Sequence, residues 1–543
     1  MPRPDLSLAL LLAGLTAASR IPFRARFLPT WDAVQFALAL REFDVVKHQP
    51  HPPGYILFVV AARALAWVLH DAAASLTWLA IGASALTVFL VYRLAFSLYG
   101  RPTALVAAVG LAASPLFWFY GVVGLSYTAE AALATLVVSL VWRMRAGGTR
   151  AAAGAALALG LAGGVRQSLL AVLAPLWLGM ARAALGRWRA VIRPGLVLLL
   201  ATVGWLGPMV WASGGVPRYL GATRELFEST VRGTSLVGPP GTWLGNLVAL
   251  GEATILGLGL FLPALGWLLA TAVGRVPSWG PRAWLFAGWV GPALVVYTGL
   301  HFGQYGYLLT VLPALYILIA RGLVRGARAV ATPRLGPRVR WAVVSVALAG
   351  PVLAHTAFFA SAGPVEVSLP ADDPAAVARW QSSWRTRYRF AMWTTTAGGL
   401  REQGQVIATY VEAIRREFDP ATTVLVTELG NPRSYPWWRH VMYYLPEFPV
   451  VQLRVGRFAP GYVASQRAEI LAALPGPEIL LAPSARRLVW VVDYWNPLEP
   501  RPPGLAARPL AYGRWLYVLD LHRRPVEHAG YRLTPLTAVA RLR

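Results

Sequence analysis

The sequence predicts a polytopic α-helical membrane protein that ends in a soluble α/β domain. Of the 543 residues, 56% are apolar and only 14% are charged, which leaves too little polar surface for a soluble chain of this size. Apolar runs of helical length recur through residues 1–362, whereas those within 363–543 are short and rich in β-branched residues. The first pattern is typical of membrane helices and the second of buried strands.

The charge balance favours a membrane location over nucleic-acid binding. The formal net charge is +26, and a balance this basic usually indicates a nucleic-acid partner. Here, however, most arginines lie in short loops between apolar runs, where they orient helices and contact anionic headgroups. We therefore expect membrane lipids as partners and no nucleic acid. The chain has no cysteine, so disulfides and thiolate metal sites are excluded.

About a dozen apolar runs predict about 11 to 12 helices in a transmembrane domain over residues 1–362. The runs lie near residues 6–20, 54–69, 76–97, 103–120, 127–142, 151–164, 168–183, 193–212, 247–272, 283–300, 306–321 and 340–361. Several are shorter than the roughly 20 residues that a spanning helix needs, so some must tilt, pair tightly or fail to cross. The first run is interpreted as a retained anchor because its charged start is short. The polar segments 21–53 and 213–246 are predicted outer loops.

Residues 363–543 are predicted to form the soluble α/β domain, with roughly 180 residues to bury a core of its own. Predicted strands occupy 422–428, 449–455, 478–483, 487–494 and 514–521. Clusters of Pro, Gly and Asn separate these runs, and a helical pattern covers 402–417.

The distribution of arginines predicts on which side of the membrane the loops and the C-terminal domain lie. The segment 321–340 carries six arginines, which makes it the strongest cytoplasmic signal in the chain. The last apolar helix then leads outward, and the C-terminal domain is extracytoplasmic. Strict alternation would place the opening loop 20–53 inside. We expect the short run 54–69, which carries Arg63, not to cross, so that the opening loop stays outside.

The opening loop gathers ionisable side chains between two apolar runs. They are Asp32, Glu42, Asp44, Lys47, His48 and His51, followed by the turn-forming sequence Pro-Pro-Gly. Ionisable groups at a membrane surface are costly and often functional. Purely structural roles are the alternative: Asp32 could cap a helix, and Glu42 and Asp44 could be solvated or paired with Arg41 and Lys47. Asp44, His48 and His51 could instead bind a divalent metal.

Three later motifs add candidate residues. GVVGLSYTAEAAL (121–133) contains Tyr127 and Glu130, GGVRQSLL contains Arg166, and HFGQYGYLLTVLP contains His301, Gln304, Tyr305 and Tyr307. A glutamate in an apolar helix is expensive unless it faces a cavity, and an arginine can hold a phosphate bidentately. Each residue also has an alternative role at the membrane surface. Glu130 could snorkel to the headgroups, Arg166 could lie at headgroup level, and Tyr305 and Tyr307 could belong to the aromatic belt.

These motifs occur in a recognisable order. An acidic residue follows the first membrane helix, a loop ends in Pro-Pro, Gly-Gly-x-Arg joins two short helices, and GQYGYLLTVLP lies near the end of the membrane region. Over about two thirds of the chain this resembles the C-type integral-membrane glycosyltransferases, the group of protein O-mannosyltransferases and lipid A aminoarabinose transferases. The resemblance implies a polyprenyl-phosphate-linked sugar donor, action on the outer face and an essential carboxylate in the first outer loop.

Carried over by position, Asp32 matches the essential carboxylate. His51 stands where related enzymes often have the lysine of Lys-Pro-Pro that contacts the lipid phosphate, and Lys47 lies one helical turn earlier. Related enzymes also often have an arginine beside a tyrosine near Tyr305. This chain has Gln304 there, so His301 is the only nearby substitute for that cation.

The expected reaction is an inverting displacement at the anomeric carbon, with Asp32 as the base that takes the acceptor proton. Lys47, His51, Arg166 and His301 are the expected phosphate ligands, and Glu130, Tyr127, Gln304 and Tyr305 the expected sugar or acceptor ligands. A divalent metal is possible, and the acceptor would be a glycan, lipid or protein outside the inner membrane of a bacterium. The alternatives are a transporter or flippase, for which the expected inverted repeats are not found, and a non-catalytic cell-envelope assembly protein.

Overall fold

The chain divides into two compact units. The computed structural model describes residues 5–273, 280–330, 337–362, 392, 394–429, 438–455, 462–466, 469–470, 476–492, 501–522 and 524–536. The first unit comprises residues 1–25, 39–363 and 395–398, and the second comprises 26–38, 364–394 and 399–543. The division after residue 363 lies close to the predicted boundary, and the short segment 26–38 groups with the C-terminal part of the chain.

The first unit is built from helices that follow the predicted apolar runs. The helices of the N-terminal two thirds of the chain are α1 Leu6–Arg20, α2 Trp31–Arg41, α3 Ile56–Leu69, α4 Ala72–Tyr99, α5 Arg101–Ala113, α6 Pro115–Tyr120, α7 Tyr127–Val165, α8 Ser168–Leu185, α9 Trp188–Ala212, α10 Val216–Leu226, α11 Leu244–Leu258, α12 Leu262–Val273, α13 Pro281–Gly299, α14 Leu312–Val330 and α15 Pro337–Ala360. A 3-10 turn, Tyr305–Thr310, connects α13 to α14.

Several of these helices have the length and composition of membrane spans. Within the described residues, six segments are long and apolar enough to cross a bilayer: Leu6–Phe23, Ala72–Tyr99, Ser168–Leu185, Trp188–Ala212, Leu244–Leu268 and Trp341–Ala360. Their outward faces carry large apolar side chains, such as Trp211 at 83% and Val346 at 74% exposure. Apolar surface on this scale is suited to lipid, so the protein is a multi-pass membrane protein.

Helix α7 is a hairpin of two helices joined at Gly148. A straight helix of 39 residues would be about 58 Å long, yet the side chains of Glu130 in its first turn and Arg166 at its end are 2.9 Å apart. The chain therefore reverses within α7. The reversal occurs at Gly148, whose φ of 56° and ψ of −148° are open essentially to glycine alone. The two predicted runs 127–142 and 151–164 are thus confirmed, with a tight turn between them.

The second unit is the α/β domain that the sequence predicts. Its main sheet has the order β4-β3-β2-β1-β6-β8-β7, and a smaller sheet has the order β5-β10-β9. The strands are β1 Thr423–Leu429, β2 Val450–Arg454, β3 Tyr462–Gln466, β4 Glu469–Ile470, β5 Glu478–Leu481, β6 Arg487–Val491, β7 Ala506–Pro509, β8 Trp515–Asp520, β9 Val526–His528 and β10 Tyr531–Pro535. Strand β1 runs parallel to β2 and β6. The domain also contains helices α16 Ala397–Glu417 and α17 Trp438–Tyr444.

The core of this domain explains why the predicted elements form. Apolar residues of α16, including Ile407 and Ile414, pack against Leu425 of β1 and Val489 of β6. All five predicted strands and the predicted helix 402–417 are present, with residues 493–494 of the fourth run lying outside the described residues. Strands β3, β4, β7, β9 and β10 were not predicted because they are short or lack continuous apolar runs.

Replacing Gly148 with alanine is expected to destabilise the protein. Because an L side chain is strained at this backbone conformation, Gly148→Ala should cost about 1–3 kcal/mol. The matched control is Gly154→Ala, since a Cβ at Gly154 meets nothing within 4 Å and alanine favours a helix over glycine. Thermal unfolding in detergent, followed by tryptophan fluorescence, would measure both variants. Equal unfolding temperatures for the two variants would contradict the hairpin.

Candidate active site

A buried ion pair joins two helix ends within the first unit. The Nε atom of Arg166 is 2.9 Å from Oε2 of Glu130, and the two residues are 5% and 0% exposed. The α7 hairpin brings them together, because Glu130 is in its first turn and Arg166 directly follows its last residue. The sequence around Arg166 contains no acidic residue, so its partner was not predicted.

Glu130 is also fixed by hydroxyl groups from three other elements. Its Oε1 accepts hydrogen bonds from Thr310 Oγ1 at 2.6 Å, Tyr297 Oη at 3.1 Å and Ser168 Oγ at 3.4 Å. These residues come from the 3-10 turn, α13 and α8. A buried carboxylate retains its charge only when a cation and hydrogen bonds replace its hydration. Both kinds of partner are present here.

Arg166 lies among the faces of tyrosine rings. Its Cζ is 4.4 Å from the ring centroid of Tyr127, 4.6 Å from that of Tyr307 and 5.7 Å from that of Tyr55. Nη1 of Arg166 also donates to Ser126 Oγ at 3.2 Å. Cation–π attraction strengthens when the cation is desolvated, so the guanidinium is held by both the carboxylate and the rings.

The 3-10 turn Tyr305–Thr310 requires a glycine at position 306. The backbone N–H of Gly306 donates to Tyr120 Oη at 2.8 Å, and a Cβ atom at Gly306 would overlap the Tyr127 ring. This close approach allows Tyr307 to reach Arg166 and Thr310 to reach Glu130 from the same turn. The turn therefore contacts both members of the ion pair.

The remaining residues of the GQYGY motif form a partly exposed polar group beside this turn. Tyr305 Oη donates to Oε2 of Glu252 at 2.6 Å, and the carbonyl of Gln304 accepts from the Tyr307 N–H at 3.1 Å. His301 Nδ1 is 2.9 Å from Thr234 Oγ1.

His301 lacks the charge expected of a phosphate ligand. Burial, together with the nearby charge of Arg166, lowers the pKa of His301 below its usual value of 6.5. The imidazole is therefore neutral at neutral pH. In that state His301 can offer a hydrogen bond to a phosphate but not the positive charge that the sequence analysis assigned to it.

Two predicted phosphate ligands lie in the opening loop with different surroundings. Lys47 Nζ is 2.5 Å from Oε1 of Glu42. Pairing of Glu42 with a neighbouring cation is the non-catalytic role that the sequence analysis gave as the alternative. His51 Nε2 is 3.1 Å from Tyr55 Oη. Because the Tyr55 ring also faces Arg166, His51 is connected to the ion pair through a single tyrosine.

The predicted metal ligands Asp44, His48 and His51 do not form a metal-binding group. Asp44 exchanges two backbone hydrogen bonds with Gln49, at 2.7 and 2.9 Å, and its side chain accepts from the Val46 N–H at 2.9 Å. Over the residues that the structure describes, no three His, Cys, Asp or Glu side chains come together to hold a metal. The metal alternative therefore gains no support.

Asp32 lies in the second unit, within the first turn of α2. Thr30, and not Asp32, caps this helix, because the Thr30 hydroxyl accepts from the Ala33 N–H at 3.3 Å. The preceding segment is anchored to its own unit by the hydrogen bond from the Leu28 N–H to Tyr444 Oη at 2.8 Å. Thr30 thus fills the capping role that was the main alternative for Asp32.

Of the predicted site residues, the structure brings together Tyr127, Glu130 and Arg166. The residues that sequence analysis did not assign to the site are Tyr55, Ser168, Tyr297, Thr310 and Glu252. Ser168 and Thr310 lie within the motifs GGVRQSLL and HFGQYGYLLTVLP, and Tyr55 directly follows the Pro-Pro-Gly turn. Tyr297 lies in an apolar run, where no pattern in the sequence distinguishes it.

Comparison with known proteins identifies the fold. No protein-family model and no curated protein matches the sequence. The structure is similar to ArnT from Cupriavidus metallidurans bound to undecaprenyl phosphate, with a TM-score of 0.58, 15% identity, and coverage of 94% of this chain and 97% of that chain. It is also similar to ArnT from the same organism in the apo state, with a TM-score of 0.52, 15% identity, and coverage of 83% and 84%. A weaker likeness is to the oligosaccharyltransferase AglB from Archaeoglobus fulgidus in complex with an inhibitory peptide and a dolichol-phosphate, with a TM-score of 0.43, 12% identity, and coverage of 80% and 63%. The likeness to the two ArnT structures shows that the chain has the C-type glycosyltransferase fold that the motifs predict.

Removing one member of the buried ion pair is expected to destabilise the first unit. Glu130→Ala leaves the Arg166 charge buried without its carboxylate, which should cost about 3–5 kcal/mol. The double variant Glu130→Ala/Arg166→Ala should lose less free energy of unfolding than the two single variants lose together, because the two side chains interact directly. Unfolding in detergent would give the free energy of unfolding of the two single variants and of the double variant.

The control for this cycle is the exposed pair of Glu228 and Arg232, 2.8 Å apart with the Glu228 side chain 42% exposed. Glu228→Ala should leave the stability unchanged within error, since exposed pairs contribute little. Strictly additive losses for the Glu130 and Arg166 variants would contradict a direct interaction.

Proposed function

We propose that this protein is a membrane glycosyltransferase that transfers a sugar from a polyprenyl-phosphate-linked donor to an acceptor hydroxyl. The observation that carries the proposal is the fold match to ArnT over almost the full length of both chains, in a structure that holds undecaprenyl phosphate. The buried Arg166, held by its carboxylate and tyrosine partners, provides a fixed guanidinium in the helical unit of that fold.

The chemistry requires little beyond a base and charge stabilisation. The acceptor oxygen attacks the anomeric carbon while the bond from that carbon to the phosphate oxygen breaks, which inverts the configuration. The acceptor proton passes to the base, and the electron pair leaves with polyprenyl phosphate. Because this leaving group already bears negative charge, the enzyme has to supply orientation and stabilisation of the additional charge.

Arg166 is the strongest candidate for stabilising that charge. A guanidinium has five N–H donors, of which Ser126 engages one, while Glu130 Oε2 lies 2.9 Å from Nε as its ion-pair partner. His51, connected through Tyr55, is the next candidate. Lys47 would have to exchange its carboxylate partner Glu42 for a phosphate.

Asp32 is the proposed base. It is the carboxylate that follows the first membrane helix, the position of the essential acidic residue in the C-type group. Its helix is already capped by Thr30, so its carboxylate is not required for that purpose. We further propose that the opening loop and the C-terminal unit are extracytoplasmic, in the inner membrane of a bacterium.

Asp32→Asn is expected to reduce sugar transfer by about 100-fold or more, the range for loss of a general base, while lipid-phosphate binding is retained. The assay follows transfer from lipid-linked sugars in purified membranes to a glycan, lipid or protein acceptor fraction. The matched control is Asp71→Asn, because Asp71 caps α4 through a bond from the Ala74 N–H and asparagine caps equally well. Unchanged transfer by Asp32→Asn would exclude this residue as the base.

The absence of cysteine in the chain permits a test of orientation with single introduced cysteines. A membrane-impermeant maleimide should label Glu42→Cys and Glu527→Cys in intact spheroplasts, whereas Arg145→Cys should be labelled only after the membrane is opened. This pattern follows from the excess of arginine on the cytoplasmic side. Labelling of positions 42 and 145 from the same face would contradict the proposed topology.

A further inference from the structure

Glu252 is a carboxylate in an apolar helix that the proposed mechanism does not use. It lies in α11, within the candidate membrane span Leu244–Leu268, and its side chain is partly exposed. Ionisable residues in membrane helices are costly and usually mark a ligand path or a partner. Within the described part of the chain, the only polar partner of Glu252 is the Tyr305 hydroxyl, at 2.6 Å, so no cation neutralises it.

The position of Glu252 beside the ion pair is fixed by packing. A Cβ atom added to Gly257, further along α11, would lie 2.9 Å from Leu308 of the 3-10 turn, so the helix and the turn are in close contact. The same turn carries Tyr305, which binds Glu252, and Tyr307, whose ring faces Arg166 at 4.6 Å. Glu252 and Arg166 therefore contact the same turn of chain, Glu252 through Tyr305 and Arg166 through Tyr307.

A second polar residue of α11 shows how this helix is anchored. Asn246 Nδ2 donates to the carbonyls of Thr234 and Thr298, at 2.8 and 3.0 Å, and its Oδ1 accepts from the Phe302 N–H at 3.1 Å. The amide is fully used in holding loops together. Glu252 has no such structural task, and its remaining acceptor capacity is available to a ligand.

We propose that Glu252, oriented by Tyr305, binds the hydroxyl groups of the sugar on the lipid-linked donor. A carboxylate repels a phosphate but accepts strong hydrogen bonds from hydroxyl groups, so it suits the sugar and not the lipid phosphate. The guanidinium of Arg166 has the opposite preference. One turn thus contacts both a sugar-binding carboxylate, through Tyr305, and a phosphate-binding guanidinium, through Tyr307, an assignment that rests on the proposed glycosyltransferase function.

The experiment measures binding of two kinds of probe to the purified full-length protein. The first kind is undecaprenyl phosphate alone. The second kind is undecaprenyl phosphate that carries one sugar, which is glucose, galactose, mannose or arabinose. The wild type should bind at least one glycolipid about tenfold more tightly than the bare lipid, equivalent to about 1.4 kcal/mol. Glu252→Gln should abolish this gain and leave binding of the bare lipid unchanged, and Tyr305→Phe should reduce the gain partly.

Glu228→Gln, at an exposed carboxylate in the π-helical segment Phe227–Val231 that follows α10, is the control and should behave as the wild type. A purely structural role for Glu252 would weaken both kinds of probe equally and lower the unfolding temperature, which would overturn the inference. The inference also fails if no sugar strengthens binding, or if the gain persists in Glu252→Gln. Failure of the wild type to bind undecaprenyl phosphate at all would instead overturn the proposed function.

Discussion

The buried contact between Glu130 and Arg166 is the constraint on which the helical unit depends. Two opposite charges removed from water are stable together only if their geometry and hydrogen bonds are complete. In this protein the completing groups come from distant parts of the chain, since Ser168, Tyr297 and Thr310 all donate to the same carboxylate oxygen. The α7 hairpin, α8, α13 and the 3-10 turn must therefore all be in place for either charge to be tolerated.

This arrangement separates a rigid buried layer from a partly exposed one. The buried layer contains the ion pair, which is too enclosed to rearrange without cost. The partly exposed layer contains Tyr305, Glu252 and His301, whose side chains retain access to a ligand. A fixed buried ion pair together with partly exposed polar groups suits a reaction in which charge develops on a phosphate, because preorganised groups need not reorganise as the reaction proceeds.

The helices and strands could be predicted from the sequence because hydrophobic periodicity is a local property. Tyr127, Glu130 and Arg166 were each singled out, since a charge in apolar surroundings is visible in the sequence. Their pairing was not visible, because it depends on the reversal at Gly148 and on the tertiary position of the 3-10 turn. The grouping of Asp32 with the C-terminal unit was equally hidden, because contacts such as that between Leu28 and Tyr444 join residues far apart in sequence.

The order in which the partners of Glu130 occur along the chain has a consequence for biogenesis. Glu130 is synthesised before every group that binds it, and Thr310 emerges 180 residues later. A helix carrying a lone charged residue inserts poorly into a bilayer, whereas the α7 hairpin carries its own countercharge at its end. Insertion of the two halves of the hairpin as one unit lets Arg166 accompany Glu130 into the membrane, and the hydroxyl groups of α13 and the turn then complete a pair that has already entered.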